Sequence, residues 1–152
     1  MLRAHQHWLP VILWMGFIFV MSTSLGSSAH TSRLIEPLIR LLVPGISPAA
    51  VDRVHFFIRK GGHLTEYAIL ALLVLRAVRI SLQARAAGNL CKAAGIALLI
   101  SVAYAGSDEY HQSFVPGRTA SVYDVMIDGC GAAAALAAAL GWRKPGTGPR
   151  AG

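Results

Sequence analysis

Residues 91–112 read CKAAGIALLISVAYAGSDEYHQ, an apolar run from about Cys91 to Tyr104 that passes almost directly into Ser107, Asp108, Glu109, Tyr110, His111 and Gln112. A helix that crosses a bilayer needs about 20 mostly apolar residues. This stretch meets that need and ends in a cluster of ionisable groups. Three further stretches follow the same rule. The first runs from about Trp8 to Gly26 and ends in Ser22, Thr23 and Ser24; the next spans His63 to Ile80, with Arg76, Arg79 and Arg85 at its far end. The last starts near Ser121 and is rich in Ala and Gly through Trp142, the composition of a helix that packs closely on its neighbours. The expected fold is all-α, an integral membrane bundle of about four transmembrane helices.

Composition agrees. Of 152 residues, 55% are hydrophobic and 14% charged, whereas a soluble domain carries about 25% charged residues. The formal charge of +7 raises the possibility of nucleic-acid binding, but the basic residues are scattered among apolar spans and form no aromatic-interleaved patch. Juxtamembrane anchoring accounts for them, and no nucleic-acid partner is expected. The early apolar run resembles a signal peptide, yet its length and the spans that follow favour a retained first helix. Cys91 and Cys130 fall at different depths of an up-and-down bundle, so no disulfide is expected.

Between the first two spans, Thr31 to Pro44 places Leu34, Ile35, Leu38, Leu41 and Leu42 at helical spacing against Arg33, Glu36 and Arg40. It is too short and too charged to span, and reads as an interfacial amphipathic helix with a break near Pro37. Ser47 and Pro48 form a helix start, an N-cap followed by proline at the first helical position. Gly61 and Gly62 then permit a bend or close packing. One membrane domain is expected over 1–143, with a disordered tail over 144–152.

Four spans put both termini on one side. Arg3, Arg76, Arg79, Arg85, Lys92, Arg143, Lys144 and Arg150 lie there, against Arg33, Arg40, Arg53, Arg59, Lys60 and Arg118 opposite. This bias makes the side of the termini cytoplasmic in a bacterial plasma membrane. All seven acids fall on the other, extracytoplasmic side.

The same threading brings three helix ends together there. Lys60, His63 and Glu66 are spaced by three along one face of the second span. Asp108, His111 and Gln112 share a face of the third, and Asp124 and Asp128, four apart, share a face of the fourth. Arg118 lies in the connecting loop. Charged groups in hydrocarbon cost about 2.5–3.5 kcal/mol each on insertion scales, so such residues face a partner or a wet cavity and mark candidate sites.

His63 and Glu66 can act as a base and its orienting carboxylate, or tie two helices together. Asp108, Glu109 and His111 suit a hard-cation or zinc site, an acid/base cluster, or a solvated helix end. Arg118 can grip a phosphate or pair with Asp108 or Glu109. Asp124 can cap the last helix together with Ser121, and Asp128, too deep to cap, can pair with Lys60. Tyr67, Tyr104 and Tyr123 read as interfacial belt residues.

The run Lys60, Gly61, Gly62, His63, Leu64, Thr65, Glu66, Tyr67, the segment Ser107 through Gln112 leading into Val115, Pro116, Gly117 and Arg118, and then Asp124 and Asp128 resemble the VanZ-like family of small bacterial membrane proteins. The resemblance covers Val54 to Leu140. That family takes its name from a member linked to low-level teicoplanin resistance, so the resemblance implies a cell-envelope role; it supplies no reaction. The family pattern often carries asparagine at the position of Asp128.

Two functions follow as expectations. One is a membrane-embedded hydrolase or transferase acting on a phosphate-bearing lipid or a lipid-linked wall precursor. His63, Glu66, Asp108, Glu109, His111 and Asp124 would then be the catalytic candidates, and Lys60, Gln112, Arg118 and Asp128 the substrate-binding ones, with a divalent cation as an open question. The other is a non-enzymatic protein that binds an envelope ligand. Four helices enclose little, which disfavours a transporter unless the chain forms a homo-oligomer.

Overall fold

The computed structural model describes residues 6–23, 28–83, 87–116, 118 and 120–142, without the side chains of 28–31, 33, 34 and 87. The tail over 144–152 lies outside the described residues, as do Arg3 and Arg85. A single 3-10 turn, Gln6–Trp8, leads into α1 (Leu9–Ser22), followed by α2 (Ser28–Leu42), α3 (Pro48–Ser81), α4 (Ala87–Gln112) and α5 (Val122–Gly141). Among the described residues there is no strand.

Two of these helices, over Gly88–Gln112 and Val122–Gly141, are long and apolar enough to cross a membrane, fewer than the four expected. The reasons are local. The first apolar helix is short, ending at Ser22. The apolar part of α3 carries Glu66, Arg76 and Arg79, and it continues an N-terminal half that holds Asp52, Arg53, Arg59 and Lys60.

The start of α3 follows the sequence closely. Ser47 Oγ accepts a hydrogen bond from the Ala50 amide at 3.3 Å, and Pro48 occupies the first turn. The helices continue through Gly61 and Gly62, which permit a bend or close packing, and through Pro37, where a break is expected. Gly61 and Gly62 lie inside the continuous α3, with open space where a Cβ would project. Pro37 lies inside the continuous α2, since its fixed φ is compatible with a helix and the loss of one amide does not break it. Arg40 reaches back one turn to Glu36 at 2.8 Å.

The core is a stripe on α3, Tyr67, Leu70, Ala71, Val74 and Val78, packed against small residues. Ala93, Ala97 and Ala105 of α4 and Ala132 of α5 are fully buried, while Val11 and Ile18 of α1 close the remaining side. Gly131 allows α5 to approach α3, because a Cβ there would collide with the Leu64 carbonyl. Many large aliphatic side chains point outward instead, including Leu13 at 66%, Leu99 at 70% and Met126 at 61% exposure. Small residues inside and large apolar ones outside is the arrangement expected of helices packed in lipid.

Side-chain ties set the helix directions. Trp8 Nε1 donates to Ser81 Oγ at 3.1 Å and Trp14 Nε1 to the Glu66 carbonyl at 2.9 Å, so α1 runs antiparallel to α3. Tyr104 Oη donates to the Met15 carbonyl at 2.6 Å and, further along both helices, His111 meets Ser22, so α4 runs parallel to α1.

Candidate functional site

At one end of the bundle, the middle of α3 meets the ends of α1 and α4 and the start of α5. Because α3 and α5 run parallel there, their polar residues meet in two successive rungs. The Lys60 ammonium pairs with the Asp124 carboxylate. One turn further on, His63 Nδ1 lies 3.6 Å from Asp128 Oδ1, too far for a hydrogen bond.

From α4, Glu109 enters beside this second rung. Its Oε2 accepts the Ser121 amide at 2.8 Å, which joins the end of α4 to the start of α5. Asp108, the preceding residue, accepts from Gln112 Nε2 at 2.9 Å. Asp108, Glu109, Gln112, Asp124 and Asp128 are all buried. His63, Glu109 and Asp128 each present a ligand-type atom, and these atoms lie within 4.8 Å of one another.

A cavity of about 150 Å³ opens beside the rungs, between α1, α3 and the end of α4. Arg59, His63, Glu66, Asp108 and Arg118 line it, with Met21 and Ser22 from α1. Arg118 Nη2 donates to the carbonyls of Met21 at 2.6 Å and Thr23 at 3.1 Å, satisfying the C-terminal end of α1. Burial, and then the nearby Arg59 guanidinium, lowers the proton affinity of Arg118; Asp108 and Glu109 pull it back.

The VanZ/LLP1 family pattern matches residues 7–143. The chain belongs to the VanZ-like family. No curated protein and no solved structure matches it. Family membership therefore extends beyond the segment from Val54 to Leu140 that carries the recognisable residues, and takes in α1 and α2.

Within this VanZ-like chain several pairings differ from those expected. His63 faces Asp128 of α5, and Lys60 takes Asp124, leaving Asp128 without the lysine. Asp124 is engaged with Lys60, while the Ser121 hydroxyl caps α5 by accepting the Tyr123 amide at 3.2 Å. Of the two uses open to Arg118, a phosphate or a pairing with Asp108 or Glu109, the hydrogen bonds show neither, going instead to α1 carbonyls. His111 faces α1 instead of the carboxylates: its Nδ1 lies 3.3 Å from Ser22 Oγ and its ring packs at a tilt against Phe19, 4.5 Å between centroids. The close set of possible ligands is thus His63, Glu109 and Asp128, in place of Asp108, Glu109 and His111. Tyr67 is a core residue at 0% exposure, Tyr104 is tied to α1, and Tyr123 is exposed.

Juxtamembrane anchoring accounts for Arg59 in the sequence, yet it lines the cavity. A signal was present, since Arg59, His63 and Glu66 share a helical face. The α1 residues Met21 and Ser22 carry no such mark, for they reach the site only because α1 docks alongside α4.

Proposed function

We propose that this VanZ-like chain is a four-pass protein of the bacterial plasma membrane whose polar site, at the extracytoplasmic face, acts on the phosphate-bearing head group of a lipid or lipid-linked wall precursor. The four crossings are α1, the apolar part of α3, α4 and α5, with both termini cytoplasmic and α2 lying in the interface. The outward-facing aliphatic side chains and the distribution of basic residues support this arrangement.

The observation that carries the functional reading is the cavity itself. It places two guanidinium groups, Arg59 and Arg118, in one small space with His63, Glu66 and Asp108. Cations that neutralise a phosphate beside groups that move a proton are the requirements for phosphoester hydrolysis or transfer. In hydrolysis, Glu66 or His63 takes the proton of the attacking water, the phosphorus–oxygen ester bond breaks, and the leaving oxygen receives a proton. An envelope role of this kind fits a contribution to glycopeptide resistance, teicoplanin included.

Release of inorganic phosphate or free head group from lipid-linked phosphates, by purified protein in nanodiscs, tests the reading. Turnover is expected, with a loss of at least about 100-fold in Glu66→Gln, the contribution of one acid/base group. A folded protein without turnover on any such lipid favours the second reading, a non-enzymatic protein that binds an envelope ligand or serves as an accessory factor. That alternative draws on the structural use of Lys60, Asp124 and Arg118, whose charges are committed to joining helices.

A further inference from the structure

Asp128 is 1% exposed, and neither of its carboxylate oxygens has a hydrogen-bond partner among the described residues. Glu109 is 4% exposed; with Oε2 held by the Ser121 amide, its Oε1 has none. His63 Nδ1, also buried, has none either. Three helices thus deliver four unsatisfied lone-pair-bearing atoms to one place. Buried polar groups are almost always satisfied, and each exception calls for a cause.

Charge leads to the same conclusion. Two carboxylates buried side by side hold negative charge that is costly to bury without a cation, and a divalent ion would offset it. Lys60 is paired with Asp124, and the two guanidiniums, Arg59 and Arg118, line the adjoining cavity without a hydrogen bond to Asp128 or to Glu109 Oε1. Distances agree as well. Two donors about 2.1 Å from a tetrahedral zinc ion stand about 3.4 Å apart. The separation of His63 Nδ1 from Asp128 Oδ1 is 3.6 Å, too long for a direct hydrogen bond and close to that spacing, and the Glu109 oxygen joins them within 4.8 Å.

We propose that His63, Glu109 and Asp128 form a divalent-cation site, with the His63 Nδ1 and one oxygen from each carboxylate as its protein ligands. One imidazole and two carboxylates form a mixed donor set that suits zinc or manganese better than magnesium, which favours oxygen and retains its waters. The Ser121 amide on Glu109 then serves to orient a ligand. Three protein ligands leave a coordination position open, as in catalytic metal sites. The site stands whether or not the protein turns over a substrate.

Metal uptake tests it directly. Tag-free protein in detergent is stripped with chelator, desalted and titrated calorimetrically with zinc, manganese and magnesium chlorides, and bound metal is counted by mass spectrometry. One zinc or manganese ion per chain is expected, with weaker magnesium binding. Loss of an orienting neighbour alone weakens metal sites 10–100-fold, so Asp128→Ala, Glu109→Gln and His63→Gln should each weaken binding by at least about 100-fold. Glu36→Gln, on exposed α2, should bind as wild type does. Absence of stoichiometric zinc or manganese uptake by folded wild-type protein overturns the site, a result that needs no variant. Uptake that persists at wild-type affinity in the variants that keep their helical circular dichroism overturns it equally. Turnover is not read in this experiment, so a failure of catalysis and a failure of metal binding remain separate results.

Discussion

Lys60 on α3 is ion-paired with Asp124 on α5, and both side chains are largely buried, at 17% and 7% exposure. Their partnership spans two helices that meet nowhere near each other in sequence, and it leaves the neighbouring Asp128 to His63. Breaking a buried pair by removing one member typically costs about 3–5 kcal/mol, because the remaining charge stays buried alone. Lys60→Met should therefore lower the thermal midpoint in detergent sharply, and Lys60→Met combined with Asp124→Asn should recover most of the loss. A double variant no more stable than Lys60→Met alone would show that the pair does not couple the helices.

Glycines provide a second contrast. Gly131→Ala places a methyl group against the Leu64 carbonyl, so α5 must move away from α3. Overpacking of this kind costs about 1–3 kcal/mol. Gly61→Ala meets open space inside a continuous helix and should stabilise the protein by about 0.5–1 kcal/mol. Thermal unfolding of the two variants, measured side by side, should move in opposite directions.

The two histidines at this end should separate by role. His111 touches Ser22 and Phe19 of α1, whereas His63 lines the cavity and faces Asp128. His111→Asn should retain most turnover of lipid-linked phosphate, with a loss of about 1 kcal/mol in stability from one missing hydrogen bond. His63→Asn should abolish turnover while the fold persists. Equal losses of activity in the two would count against the cavity as the place of chemistry.

Topology is open to a chemical test. Phe114, in the turn after α4, and Leu82, in the turn after α3, are both exposed and lie at opposite ends of the bundle. With Cys91 and Cys130, both free and exposed, replaced by alanine, Phe114→Cys should react with a membrane-impermeant maleimide added to intact cells. Leu82→Cys should react only after lysis. The opposite pattern would invert the assigned orientation and place the site in the cytoplasm.

Arg118 yields a prediction about α1. Its guanidinium satisfies the carbonyls of Met21 and Thr23, so Arg118→Ala should cost about 1–3 kcal/mol, the price of carbonyls left without a charged donor. Hydrogen exchange should rise first at the end of α1. Exchange confined to α5 would contradict the tie.

Sequence alone determined the all-helical character, the start of α3 at Ser47 and Pro48, and most of the polar residues found at one end of the bundle, though not Arg59 or Ser22. Periodicity, capping and hydropathy are local properties, and local properties can be read in order along a chain. The choice of partners belonged to the tertiary structure. Spacing put Lys60 and His63 on one helical face and Asp124 and Asp128 on another, yet either register was compatible with that pattern. The close approach of α5 to α3 at Gly131, with the two helices parallel, set Lys60 against Asp124 and His63 against Asp128. Docking of α1 beside α4 turned His111 toward Ser22, gave Arg118 its hydrogen bonds to α1 carbonyls and brought Met21 and Ser22 to the cavity. Contacts between distant segments depend on how helices rotate and slide against one another, and helical spacing carries no record of that.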